Sequence, residues 1–150
     1  DGDYLLLISN VFYKTPQQGD VIVASKDAFK NGEPIIKRVI ATEGQEVNID
    51  FETGAVFVDG VLYEDSHAVL KNIATGKETG EYNSVLNMYS PHYSQETNTL
   101  SVTVPEDRLF VLGDNRNNSK DSRHPDILFV DERCVLGKVV LRIYPFTVFS

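Results

Sequence analysis

Short apolar or alternating runs, each bounded by Gly, Pro, Asn or Asp, recur along most of the chain. Alternation with a period of two puts successive side chains on opposite faces of a strand. The pattern predicts strands over residues 4–8, 20–24, 35–41, 46–50, 55–58, 61–64, 100–104, 108–112 and 135–144. Asp59-Gly60 stands between two alternating runs. Both central positions of a type I′ turn need positive φ, so a tight hairpin is expected there. No segment carries a long apolar stripe at helical spacing, and one short helix is expected near residues 82–89.

Residues 65–99 break the pattern. They are rich in Asn, Ser, Thr, Gly and His and show poor periodicity. A mostly irregular inserted lobe is expected there, of the kind that is usually functional or mobile. The core then comes from residues 1–64 and 100–150, as a single domain. The expected class is all-β, with coiled antiparallel sheets that close on themselves as a barrel or pack together.

At 150 residues and 41% hydrophobic content the chain can bury a core and is not disordered. The formal net charge of −8 removes nucleic acid from the partners expected, because phosphate needs a basic face. It also gives no electrostatic reason to adsorb to anionic lipid, which leaves apolar contact or an anchor as the route to a membrane. No run approaches the ~20 apolar residues of a spanning helix. The single cysteine, Cys134, permits no internal disulfide and reads as a small buried apolar residue at a strand start. His67, His92 and His124 are scattered without metal-ligand spacing, so no metal and no cofactor is expected.

Two places could carry chemistry. The apolar run Leu109–Leu112 empties into Gly113-Asp114-Asn115-Arg116-Asn117-Asn118-Ser119-Lys120-Asp121-Ser122-Arg123. Asp114 and Asp121 can each accept a fork from Arg116 or Arg123, and bidentate pairs of this kind fix geometry. A solvated surface loop with ordinary ion pairs is the blander alternative. In Ile35-Ile36-Lys37-Arg38-Val39-Ile40, a Lys-Arg pair sits among four aliphatics on a strand, so the two side chains point opposite ways. A lysine against apolar neighbours is penalised as the cation, and a neutral amine can act as a general base. A snorkelling lysine with a wet head group is the alternative. The turn Gly19-Asp20-Val21-Ile22-Val23 says nothing alone. No Gly-x-Ser-x-Gly elbow and no phosphate-cradling glycine motif is present.

Taken in order, Gly19–Val23, Ile36–Ile40 and Gly113–Arg116 through Ser119-x-Asp121-Ser122-Arg123 resemble the conserved boxes of type I signal peptidases. The closing run 137–146 is similar to the end of the Gram-positive enzymes. The resemblance implies a serine endopeptidase working by a Ser-Lys dyad on the extracytoplasmic side of the bacterial membrane. Lys37 would be the general base and Ser119 would orient its amine. Asp114, Arg116, Asp121 and Arg123 would brace the loop beneath. Signal peptides of secreted preproteins would bind as an added strand, with Pro34, Ile35 and Ile36 on the receiving edge. Leu5 and Val23 would line a shallow pocket suited to the Ala-x-Ala pattern. An apolar face would meet the membrane surface.

Two departures qualify the match. The family nucleophile sits in Ser-Met-x-Pro-Thr before a Gly-Asp pair. Here Gly2-Asp3 opens the chain, and Met88, the only methionine, lies elsewhere. The nucleophile, an oxyanion donor and the membrane anchor are therefore expected upstream, and these 150 residues alone are expected not to cleave. The family's Gly-x-Pro-Gly turn appears as Ala41-Thr42-Glu43-Gly44. A catalytically inactive homologue that assists pilus assembly is the alternative from another class, and such homologues lose both dyad members. LexA-like self-cleaving repressors lack the charged loop, and a plain β-barrel interaction module would not explain Lys37 together with it.

Overall fold

The computed structural model describes residues 4–25, 33–66, 68, 91–116, 119–144 and 147–148. Among these, the strands form two antiparallel sheets. The first contains β1 (Tyr4–Ser9), β2 (Val21–Ala24), β3 (Ile35–Ala41), β9 (Arg108–Leu112), β10 (Val130–Asp131), β11 (Val135–Tyr144) and β12 (Thr147–Val148). The second contains β4 (Glu46–Asp50), β5 (Val56–Val58), β6 (Val61–Leu62), β7 (Tyr93–Ser94) and β8 (Thr99–Thr103). Spatial order is β1-β11-β2-β3-β9-β10 in the first, with β12 against β11, and β6-β5-β4-β8-β7 in the second.

The second sheet shows simple alternation. Val47, Ile49, Val56, Val58, Leu100 and Val102 turn inward and meet Ile40, Ala41, Phe110 and Leu112 of the first sheet in one core. A second cluster, including Ile22, Ala24, Ile35, Val39, Leu109 and Val111, lies on the first sheet's other face. Being covered on both faces explains why β2 and most of β3 read as continuous apolar runs rather than alternating ones. The Asp59-Gly60 turn has φ of 51° and 76°, and it joins β5 to β6 with Val58 opposite Val61. That is the hairpin its sequence calls for.

Each expected strand forms, β10 and β12 are additional, and three further differences stand out. Among the described residues no closed barrel forms. The first sheet ends at β1 and at the two-residue β10, the second at β6 and β7, and these ends do not pair. The described end of the inserted lobe is ordered rather than irregular, because Tyr93 and Ser94 pair with Leu100 and Thr99. Cys134 is half-buried and ends a 3-10 turn over Glu132–Cys134, rather than filling a core position. The helix expected near 82–89, and His67, Met88, Asn117, Asn118, Pro145 and Phe146, lie outside the described residues.

Candidate active site

The site is built where β3 and β9 stop being neighbours. The two strands pair from Arg38 opposite Leu112 to Ala41 opposite Phe110. Beyond Leu112 the chain leaves the sheet as the loop 113–123. Residues 35–37 of β3 are left with β2 on one side and no strand on the other, among the described residues.

Lys37 sits in this half-open stretch. Its partner across β2 is Ile22, and on its own face it is flanked by Ile35 and Val39, all three buried. The side chain is half-buried, and Nζ donates to Ile36 O at 3.1 Å. The alternation of the strand sends Arg38 the other way. Arg38 is 4% exposed and forks Asp114, with Nε to Oδ1 and Nη2 to Oδ2 both at 2.9 Å. Its Nη1 donates to Gly19 O at 2.9 Å, which ties in the turn before β2. Burial works against this guanidinium, but Asp114 outweighs it and holds the group above its ordinary value.

The loop folds back along the end of β9. Val111 N donates to Ser122 Oγ at 2.9 Å, and Ser122 N donates to Val111 O at 3.0 Å. Asp121 is fully buried and accepts from Gly113 N at 3.0 Å. Arg123 Nε and Nη2 fork its two oxygens, each at 2.7 Å. Burial pushes the Asp121 carboxyl up and the Arg123 guanidinium down, and the fork between them opposes both shifts by favouring the charged pair. Arg123 Nη2 also donates to Arg116 O at 3.0 Å, while Arg116 Nε donates to Gly113 O at 3.1 Å. Arg116 Nη2 reaches Asp65 Oδ2 at 2.6 Å.

Ser119 rests directly on Gly113. A Cβ added to that glycine would lie 2.1 Å from Ser119 Oγ, so no larger residue fits beneath it. The hydroxyl is buried and has no partner at full hydrogen-bond geometry among the described residues. After the burial effect, the groups acting on Asp121 include the Ser119 hydroxyl and the Lys37 charge, both favouring the carboxylate. The fold therefore gathers Lys37, Ser119 and Asp121 into one neighbourhood from two separated stretches of sequence.

Of the pairings expected within the loop, Asp121 with Arg123 forms. Asp114 does not take a fork from Arg116 or Arg123. It faces β3 and takes Arg38 instead, while Arg116 turns beneath the loop to Asp65. Arg38 carried a readable signal, since a second cation on an apolar strand needs a carboxylate when buried. Asp65 carried none, because only the fold brings it 51 positions along the chain to Arg116.

The expected substrate-side residues are placed unevenly. Pro34 and Ile36 are exposed, and Ile36 lies opposite Val23. Ile35 and Val23 are buried, so Ile35 offers backbone rather than an open side-chain surface. Leu5 pairs with Arg142 and Val23 with Gly137, so the two stand at different heights on opposite sides of β11. The structure does not bring them side by side. The turn before β2 is pinned separately. Asp20 accepts from Tyr13 Oη at 2.5 Å and pairs with Lys138 Nζ at 2.6 Å.

The fold and site together define an all-β protein with a lysine-bearing strand and an ion-braced loop beside it. The chain belongs to the signal peptidase family, peptidase S26, which matches residues 1–144. A probable signal peptidase I-1 of Synechocystis is 30% identical over 148 residues, covering 93% of this chain and 62% of that protein. Signal peptidase IB of Staphylococcus aureus is 31% identical over 145 residues, covering 95% of this chain and 70% of that protein. The crystal structure of a signal peptidase I from Enterococcus faecalis superposes with a TM-score of 0.53 at 27% identity, covering 83% of this chain and 96% of that one. The chain thus spans less than two-thirds of the length of the Synechocystis relative.

Proposed function

We infer that this chain carries the general-base side of a Ser-Lys endopeptidase that removes signal peptides from secreted preproteins. The observation that carries the reading is Lys37 itself. A lysine flanked by Ile22, Ile35 and Val39 stands beside the loop bearing Ser119 and the buried Asp121–Arg123 pair.

A serine Oγ–H would give its proton to Lys37 Nζ as the oxygen attacks the scissile carbonyl carbon. Collapse of the tetrahedral adduct would break the C–N bond, with the proton passing from Lys37 to the departing amine. Water, deprotonated by Lys37 Nζ, would then attack the acyl carbon, and the C–Oγ bond would break as Lys37 returns that proton to the serine oxygen. Ser119 would hold Nζ in line, and the ion-paired loop would keep Ser119 still. The serine is assigned to a Ser-Met-x-Pro-Thr box, which residues 1–150 do not contain, so these residues alone are not expected to cleave.

The substrate would lie along residues 35–37 of β3, where backbone groups lack a second strand neighbour among the described residues. Leu6, Leu7, Ile8, Val11, Phe12 and Leu136 are exposed, with Phe12 at 85%. This apolar surface would meet the lipid on the extracytoplasmic side of the membrane.

The test is cleavage of an Ala-x-Ala signal-type peptide in detergent by the full-length gene product and by its Lys37→Ala variant. Cleavage by the first and none by the second is expected. No cleavage by either, with both folded, would replace this reading with that of an inactive assembly homologue.

A further inference from the structure

Asp65 lies just after β6, at the start of the excursion that leaves the second sheet, far in sequence from the loop it touches. Its carboxylate and the Arg116 guanidinium meet at 2.6 Å with side chains only 5% and 4% exposed. We propose that Asp65 is a positioning residue for the reaction inferred above: through Arg116 it fixes the loop that carries Ser119, and so the geometry around Lys37. The proposal rests on the reading of Lys37 as the base.

Three ties converge on Arg116. Its Nε holds Gly113 O, its own carbonyl accepts from Arg123 Nη2, and its Nη2 holds Asp65. Gly113 and Arg123 are in turn the groups that grip Asp121 from either side. Gly113 is also the floor on which Ser119 rests. Arg116 is therefore the node that joins the supports under Ser119.

The charge of that node has to be balanced, because a buried guanidinium without a carboxylate is strongly penalised. Two nearby carboxylates already hold other partners, Asp114 forking Arg38 and Asp121 forking Arg123. Asp65 supplies the balancing charge from the segment that follows β6, an edge strand of the other sheet. It thereby ties the loop to a part of the chain outside its own sheet. A displacement of about 1 Å at a catalytic group can cost a hundredfold in rate, so this anchor belongs to the rate as well as to the fold. A cavity of ≈ 160 Å³, lined in part by Val56, Tyr63 and Ala68, borders the pair and leaves room for one further methylene.

The experiment uses the full-length gene product in detergent with an Ala-x-Ala peptide, assayed well below each variant's melting temperature. Asp65→Asn is expected to lower kcat about tenfold to a hundredfold and to leave KM within about threefold. Asp65→Glu is expected to recover most of kcat, since it keeps the charge. Adding Arg116→Gln to Asp65→Asn should cost less than the two single losses summed, because both break the Asp65 contact while the tie to Gly113 O is lost only with Arg116. Wild-type kcat in folded Asp65→Asn, a loss confined to KM, or a loss that glutamate fails to rescue would each overturn the proposal. If Asp65→Asn does not fold, Asp65→Ser takes its place under the same criteria for kcat and KM. Lys37→Ala, run alongside, separates the two ideas: if it cleaves like wild type, the reading of the base fails, whatever Asp65 does.

Discussion

At Gly113 an added Cβ would lie 2.1 Å from Ser119 Oγ and 2.5 Å from Ser119 Cβ. Neither distance occurs in real contacts, so any side chain there must push Ser119 as a whole. Gly113→Ala is expected to lower kcat by about tenfold to a hundredfold through that displacement. It should also cost about 1–3 kcal/mol of stability, as overpacking does. Peptide-cleavage kinetics and a melting curve on the same protein check both. Wild-type kcat with a displaced Ser119 would remove that hydroxyl from the site. The neighbouring charges follow a different logic. Asp121 and Arg123 are each ionised against the pull of burial, so their value lies in holding geometry rather than in net stabilisation.

The strand β11 is the spine of the first sheet, pairing with β1 on one side and β2 on the other. Gly137 lies at the point where both neighbours converge, opposite Ser9 and Val23. A Cβ there would meet Ile8 O at 2.3 Å, and backbone cannot rotate away as a side chain can. Gly137→Ala is therefore expected to force β1 off β11 at a cost of about 1–3 kcal/mol. Chemical denaturation would measure the loss, and faster amide exchange confined to 4–9 would localise it. An unchanged midpoint would mean that β1 is not held at this register in solution. Because β1 and the turn after it bear Leu6, Leu7, Ile8, Val11 and Phe12, the same change should disturb the exposed apolar surface.

Across the whole molecule the carboxylates divide by the sign of their shifts. Burial opposes the charge of Asp20, but hydrogen bonds from Lys138 and Tyr13 hold its carboxyl below the usual range. Arg133 and Arg108 do the same for Asp131. A depressed folded value gives stability that is present above the unfolded value of ~4 and is lost as pH falls below it. Asp121 is raised to about 6 by burial. A raised value gives stability that is complete below ~4 and is lost as pH climbs through about 6. The part of the stability set by these three carboxylates is thus expected to rise up to pH ~4, through Asp20 and Asp131, and to fall above it, through Asp121. Calorimetry from pH 3 to 8 tests this, with Asp121→Asn flattening the decline on the neutral side. A melting temperature that rises steadily to pH 8 in both proteins would contradict the assignment of Asp121.

What the sequence determined by itself was the longer strands, the β5–β6 hairpin and the pair of motifs around Lys37 and Ser119; the two-residue strands β7, β10 and β12 were too short to leave a pattern. The legible features are local: period-two alternation, turn residues that accept positive φ, and polar residues in an unusual order all act within a few positions of themselves. Tertiary structure decided the rest. Which carboxylate Arg38 would find depended on β3 lying beside β9, and which one Arg116 would find depended on the second sheet coming under the loop. Whether the sheets closed depended on which edge strands met, and no alternation pattern records that. Ion pairing in a buried site is settled by distance in space, so Asp65, silent in the sequence, became legible only once the chain had brought it to Arg116.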